Sequence, residues 1–158
     1  MFTIRPTNIH DTPSILFFIR ELASYEKLLH EVTATEKQLQ ETLFGKNPQA
    51  EVILGLEKET PIGFALFFPN YSTFLGRSGI HLEDLFVLEK YRGKGCGKAL
   101  LKEVARIAVQ RHAGRLEWNV LDWNLPAIQF YKHIGAKPMN DWTTFRLSGT
   151  ELASFSEK

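Results

Sequence analysis

The stretch Leu85-Phe86-Val87-Leu88-Glu89-Lys90-Tyr91-Arg92-Gly93-Lys94-Gly95-Cys96-Gly97-Lys98 constrains this chain more than any other. An apolar strand runs into a basic turn with glycine at three alternate positions, and a helix follows. Leu100, Leu101, Val104, Ile107 and Ala108 share one face of that helix, the spacing of a half-buried amphipathic element. Lys102, Glu103, Arg106, Gln110 and Arg111 fall largely on the other side, and Gly114 marks the expected stop. Glycines strip the loop of side chains, so a ligand can reach the backbone N–H groups. The helix adds its own unpaired N–H groups and the positive end of its dipole. Strand, bare loop and helix start together make a place for phosphate.

The spacing excludes the two commonest nucleotide loops. A P-loop needs Gly-Lys followed by Ser or Thr, and Gly97-Lys98 is followed by Ala99, with Arg92 where the first glycine belongs. The dinucleotide fingerprint G-x-G-x-x-G fails because the third glycine, Gly97, comes one residue early. What remains is R-x-x-G-x-G over Arg92, Gly95 and Gly97.

With 158 residues, one domain spanning 1–158 is the expectation. The net charge of +1 gives no general reason to expect nucleic-acid binding, and the basic cluster is local, which suits a small anion. No apolar run approaches a membrane span or a signal peptide. The single cysteine, Cys96, rules out an intrachain disulfide and fits a reducing cytoplasm. It sits near a helix start, where a thiolate is favoured, but no histidine lies close in sequence, and a small residue tolerated in a crowded loop is the better reading.

Along the chain, Phe2-Thr3-Ile4-Arg5 alternates like a first strand. Asp11-Thr12-Pro13 opens a helix that runs to about Tyr25 on Ile15, Leu16, Ile19, Leu22 and Ala23. Thr33-Ala34-Thr35-Glu36 reads as a capping box for a second helix bearing Leu39 and Leu43. Strands are expected at 50–56, 62–68 and 81–88, with loops at 58–61, 69–72 and 76–79. A strand at 116–121, a short helix capped by Asn124 with Pro126 in its first turn, and a last strand at 142–147 complete the pattern. The order β-α-α-β-β-β-α-β-α-β is that of an α/β domain, a mixed sheet with helices on its faces. No residue set with metal-ligand spacing stands out.

Six segments, in order and spanning nearly the whole chain, resemble the GNAT superfamily of N-acetyltransferases, and within it the diamine (spermidine/spermine) acetyltransferase group. They are Ile4-Arg5-Pro6, Glu21-Leu22-Ala23-x-Tyr25-Glu26, Leu82-Glu83-Asp84-x-Phe86-Val87, Tyr91-Arg92-Gly93-x-Gly95-x-Gly97, Trp123-Asn124-x-Pro126 and Phe130-Tyr131-Lys132-x-x-Gly135-Ala136. The resemblance implies a mostly antiparallel twisted sheet, splayed between the strands at 81–88 and 116–121. It implies acetyl-CoA, its pyrophosphate on the loop Arg92, Gly93, Lys94, Gly95, Cys96, Gly97 and Lys98. The pantetheine arm would be edge-paired with Leu85, Phe86 and Val87, and Asn124, Pro126, Ala127, Tyr131 and Lys132 would complete the cofactor side. A homodimer is implied as well.

The resemblance nominates Glu83 as the base that takes the proton of the attacking amine. It nominates Tyr131 as the acid that protonates the leaving thiolate. Tyr25, Glu26, Glu83 and Asp84 are the implied substrate-binding residues, and the Leu85 N–H is a candidate oxyanion donor. Strand alternation points Glu83 and Asp84 to opposite faces unless a bulge intervenes; His81 shares the face of Glu83 and is the runner-up base. The chain departs from the polyamine enzymes where acids are expected. Lys27, Leu28, Leu29 and His30 follow Glu26, and Trp142-Thr143-Thr144 has only Asp141 nearby. A shorter amine or a lysine analogue such as thialysine is therefore as plausible as a long polycation. A peptide N-acetyltransferase and a non-catalytic acyl-CoA-binding module are the competing readings, the second opposed by the presence of both Glu83 and Tyr131.

Overall fold

The computed structural model describes residues 1–157. By compactness the chain falls into two units, Met1–Asn119 and the segment from Val120 onward. The first holds a five-stranded sheet of order β1-β2-β3-β4-β5. Its elements are β1 (Phe2–Pro6), α1 (Thr12–Tyr25), α2 (Glu36–Phe44), β2 (Glu51–Glu57), β3 (Thr60–Ser72), β4 (Arg77–Val87), α3 (Cys96–Gln110) and β5 (Leu116–Trp118). The second unit holds α4 (Leu125–His133) and α5 (Gly149–Ser156). The four strands β1 to β4 pair antiparallel, and β4 pairs β5 in parallel.

The run Val52-Ile53-Leu54-Gly55-Leu56 is buried throughout, so β2 is covered on both faces. Val52, Leu54 and Leu56 face α1 and α2, where they meet Ile15, Phe18, Leu39, Leu43, Phe64 and Phe86. Phe18 and Phe64 stack at 5.5 Å between ring centroids. On the other face α3 contributes Leu100, Leu101, Val104 and Ala108 to the core. A Cβ on Gly55 would meet Leu100 at 3.6 Å and the Phe2 ring at 2.8 Å. Asp11 seats the entry to α1: its carboxylate takes two 2.8 Å bonds from Arg5 and one from the Asn8 N–H. The Arg5 bond is the first cause holding that carboxyl below its ordinary range.

Several expectations are corrected. The capping box of α2 is Thr35 with Gln38, two residues on from the Thr33–Glu36 frame, because Thr35 has the extended backbone that lets its oxygen reach the Gln38 N–H. The β3–β4 hairpin extends well beyond 62–68 and 81–88: Pro69, Asn70, Tyr71 and Ser72 pair with Ile80, Gly79, Ser78 and Arg77. Turn-forming residue types there are overridden by cross-strand pairing. Gly114 does not stop α3, which ends at Gln110 with His112 at φ 56. Gly114 is a packing glycine, since a Cβ there would lie 2.7 Å from Leu75. The strand expected at 116–121 is only three residues long, and no strand forms at 142–147. A strand needs a neighbour's ladder, and Trp142 and Phe145 stay exposed. An eight-residue helix, α5, follows instead.

Candidate active site

At the end of β4 a single 3-10 turn, Glu89–Tyr91, leads into the loop. The Tyr91 and Arg92 N–H groups are spent inside it, on Leu88 and Glu89 carbonyls. Gly93 and Gly95 then take φ 75 and φ 84, the left-handed region that side chains resist. Gly95 is the N-cap of α3, and its carbonyl accepts the Ala99 N–H at 2.9 Å. Among the described residues, the N–H groups from Gly93 to Lys98 donate to no backbone acceptor. Six consecutive donors at a helix start form an anion cradle. A Cβ on Gly97 would touch only Val87, at 3.8 Å, so the fold does not demand glycine there. Cys96 is buried against the core. Lys90 and Lys94 lie over the Tyr91 ring at 5.0 and 5.6 Å.

The Arg92 side chain is turned back onto the fold. Its Nε–H donates to the Val87 carbonyl at 2.8 Å. Its guanidinium lies 4.7 Å from the Tyr25 ring centroid and 5.1 Å from that of Phe86. The resemblance groups Tyr25 with the substrate, and no sequence signal points to this contact, which joins the end of α1 to the loop.

β5 pairs only with Ile80, His81 and Leu82 of β4, so the two strands part company where the resemblance implied a splay. Beyond that point β4 is paired on the β3 side alone. The Leu88 N–H bonds Ile62 of β3. By alternation the Leu85 and Val87 N–H groups point to the opposite, unpaired edge.

A bulge sits at the same point. Phe67 pairs with Leu82 and Leu66 with Asp84, which leaves Glu83 as an extra residue. Asp84 thereby leaves the face of Leu82 and stands with Phe86, opposite Leu66 and Phe64, on the α1 face of the sheet. Glu26, the C-cap of α1, comes to the same place. Burial, with Glu83 and Glu26 nearby, pushes the Asp84 carboxyl up to about 7. Burial and then Glu83 raise Glu26. Glu83 itself is exposed and lies 3.5 Å from His81 Nε2, whose ring tilts against Phe68 at 5.2 Å. The bulge thus gathers Glu26, Glu83 and Asp84 into one acidic cluster, where simple alternation would have parted the last two. No group of three or more His, Cys, Asp or Glu among the described residues is arranged to hold a metal ion.

In the second unit, α4 starts at Leu125 with Pro126 in its first turn. Asn124 stands at the N-cap as expected, and its carbonyl accepts the Ile128 N–H, but its side chain makes no cap bond. Ala127, Tyr131 and Lys132 lie within this helix, with the Phe130 and Tyr131 rings 5.6 Å apart. Gly135 ends the segment at φ 91.

A cradle of this kind at the end of a parting strand is the arrangement that the resemblance to the N-acetyltransferases implies. The model of the Acetyltransferase (GNAT) family matches residues 16–136, and the chain belongs to that family. Over 199 aligned positions it is 35% identical to an L-ornithine N5-acetyltransferase of Arabidopsis thaliana, covering 98% of this chain and 87% of that one. It is 36% identical to the thialysine N-epsilon-acetyltransferase of Mus musculus, covering 94% of each. An integron cassette protein from the mobile metagenome of V. cholerae has the same fold, with a TM-score of 0.83 at 27% identity over 99% of this chain and 98% of that one. The chain is an acetyltransferase. No helix among the described residues is long and apolar enough to cross a membrane.

Proposed function

We propose that this acetyltransferase moves an acetyl group from acetyl-CoA to a primary amine of a small molecule, by direct attack with both substrates bound. The observation that carries the reading is the pairing, on one strand end, of an anion cradle with an acidic cluster. The cradle N–H groups from Gly93 to Lys98 fit a pyrophosphate, and the unpaired edge at Leu85 and Val87 fits an amide-bearing arm. When bound, acetyl-CoA supplies an acyl thioester, which an unprotonated amine can attack.

Glu83 is the base, removing the amine proton directly or through water. Its exposure lets it return that proton to solvent, and His81 Nε2 lies 3.5 Å from its Oε2. Asp84 and Glu26 form the wall that attracts a cation. A neutral Asp84 beside Glu83 ionises when an ammonium arrives, since the incoming charge favours the carboxylate. The Leu85 N–H is the donor for negative charge developing on the acyl oxygen. Tyr131, carried over from the family motif, holds the proton for the departing sulfur.

Two relatives are named for ornithine and thialysine, amino acids bearing a side-chain amine. The single cluster of three acids suits such compact diamino compounds, and a homodimer is the expected assembly. A thiol-release assay with acetyl-CoA against ornithine, thialysine, short diamines, spermidine and a lysine peptide tests the reading. Turnover is expected with the compact diamines; tight CoA binding without turnover of any amine would leave only an acyl-CoA-binding module.

A further inference from the structure

The acidic cluster and the glycine cradle are absorbed by the proposed reaction, but the contact between α1 and the loop is not. Tyr25 closes α1 and Arg92 opens the R-x-x-G-x-G motif, far apart in sequence, yet their side chains meet. We propose that Tyr25 is a positioning residue for the cofactor loop, acting through Arg92 and not through the amine.

Three contacts hold the Arg92 side chain on one spot. The Nε–H bond to the Val87 carbonyl fixes its stem to the edge of β4. The ring of Phe86, buried in the core, gives it a rigid floor. The ring of Tyr25 lies against it from the end of α1. A guanidinium stacks on an aromatic face through its planar, weakly hydrated cation, which an aliphatic neighbour does not reproduce. Beyond Arg92 come Gly93 and Gly95, both in the left-handed region, where a Cβ on either would meet nothing within 4 Å. Glycines carry the largest conformational freedom to be lost when the loop orders around a ligand. Arg92 is the last anchored side chain before that stretch, so bracing it shortens the segment that binding must order.

The inference rests on the loop being the acyl-CoA site, and its test separates the two claims. Amide hydrogen exchange of residues 93–98 in the ligand-free protein reads the bracing without reference to any activity. Tyr25→Phe keeps the ring face and is expected to leave amide exchange across residues 93–98 near that of the parent. Tyr25→Leu is expected to speed exchange across the loop. It should also weaken CoA binding by calorimetry about fivefold, the size of an exposed cation–π contact. The KM for acetyl-CoA should rise while the KM for the amine stays put. In an Arg92→Met background Tyr25→Leu should add nothing, because its route is already cut. Unchanged loop exchange in Tyr25→Leu, additivity with Arg92→Met, or a rise confined to the amine KM would each overturn the proposal. A parent protein that does not bind CoA would defeat the functional reading, and the exchange comparison would still decide the bracing.

Discussion

Asp84→Asn isolates the cost of keeping a carboxyl in the acidic cluster. The Asp84 carboxyl is raised from an ordinary 3.8 to about 7, first by burial and then by Glu83 and Glu26. Between those values the folded chain keeps a proton that the unfolded chain has released. Stability therefore falls as pH rises through this window and levels off above it. At about 1.4 kcal/mol per pH unit the whole window amounts to about 4 kcal/mol, and partial contact with water reduces this to about 2–4 kcal/mol. Asparagine has the same shape and no charge to bury. Urea unfolding of the parent and the variant at pH 5, 6, 7 and 8 measures the difference. The variant should gain on the parent by about 2 kcal/mol between pH 5 and pH 8, at roughly 1.4 kcal/mol per unit at most. A stability difference that stays flat with pH, or one that moves toward the parent as pH rises, would refute the reasoning. The same variant should bind a cationic amine more weakly, since its wall can no longer ionise to meet the charge.

The other predictions concern the reaction and the loop. Glu83→Gln should lower turnover at pH 7 by about 10²-fold, the scale of general-base assistance, with the rate recovering as rising pH deprotonates the amine in solvent; a flat pH–rate profile would move the base to His81 or Asp84. Tyr131→Phe should cut kcat with CoA affinity nearly kept, measured by thiol release and calorimetry, and unchanged turnover would remove the phenol from the mechanism. Gly95→Ala, forced to adopt φ 84, should cost about 1–2 kcal/mol in thermal or urea unfolding. Gly97→Ala, whose Cβ meets only Val87 at 3.8 Å, should leave stability within about 0.5 kcal/mol of the parent.

The strand–loop–helix core of the site was legible in the sequence because three local signals coincide there: an apolar run, alternate glycines and a 3.6-residue apolar stripe. The helices α1 and α2 were legible through their own apolar stripes and start signals. The far half of the β3–β4 hairpin was not, since Pro69, Asn70 and Ser72 are turn formers individually and only pairing across to 77–80 keeps them extended. Residues 142–147 hold Trp142, Phe145 and two threonines, residue types that favour strands, but propensity supplies no partner strand. Two adjacent acids in an apolar strand raised the question of a bulge, and only the register answered it. The Tyr25–Arg92 contact joins two segments distant in the chain and carries no pattern of its own.

The bulge has a consequence for how such a chain can change over time. Leu82 pairs with Phe67 and Asp84 with Leu66, so the ladder on either side of Glu83 is already in regular step. Glu83 is a residue the sheet does not count. Losing its single codon would leave every cross-strand pair in place, along with the glycine cradle and the Arg92 anchor. If Glu83 is the base proposed above, the product would keep the cradle and lose the group that takes the amine proton. On the proposed mechanism, one in-frame deletion would therefore separate a catalyst from a protein that only binds its acyl donor, with the ladder of β3 and β4 kept in step.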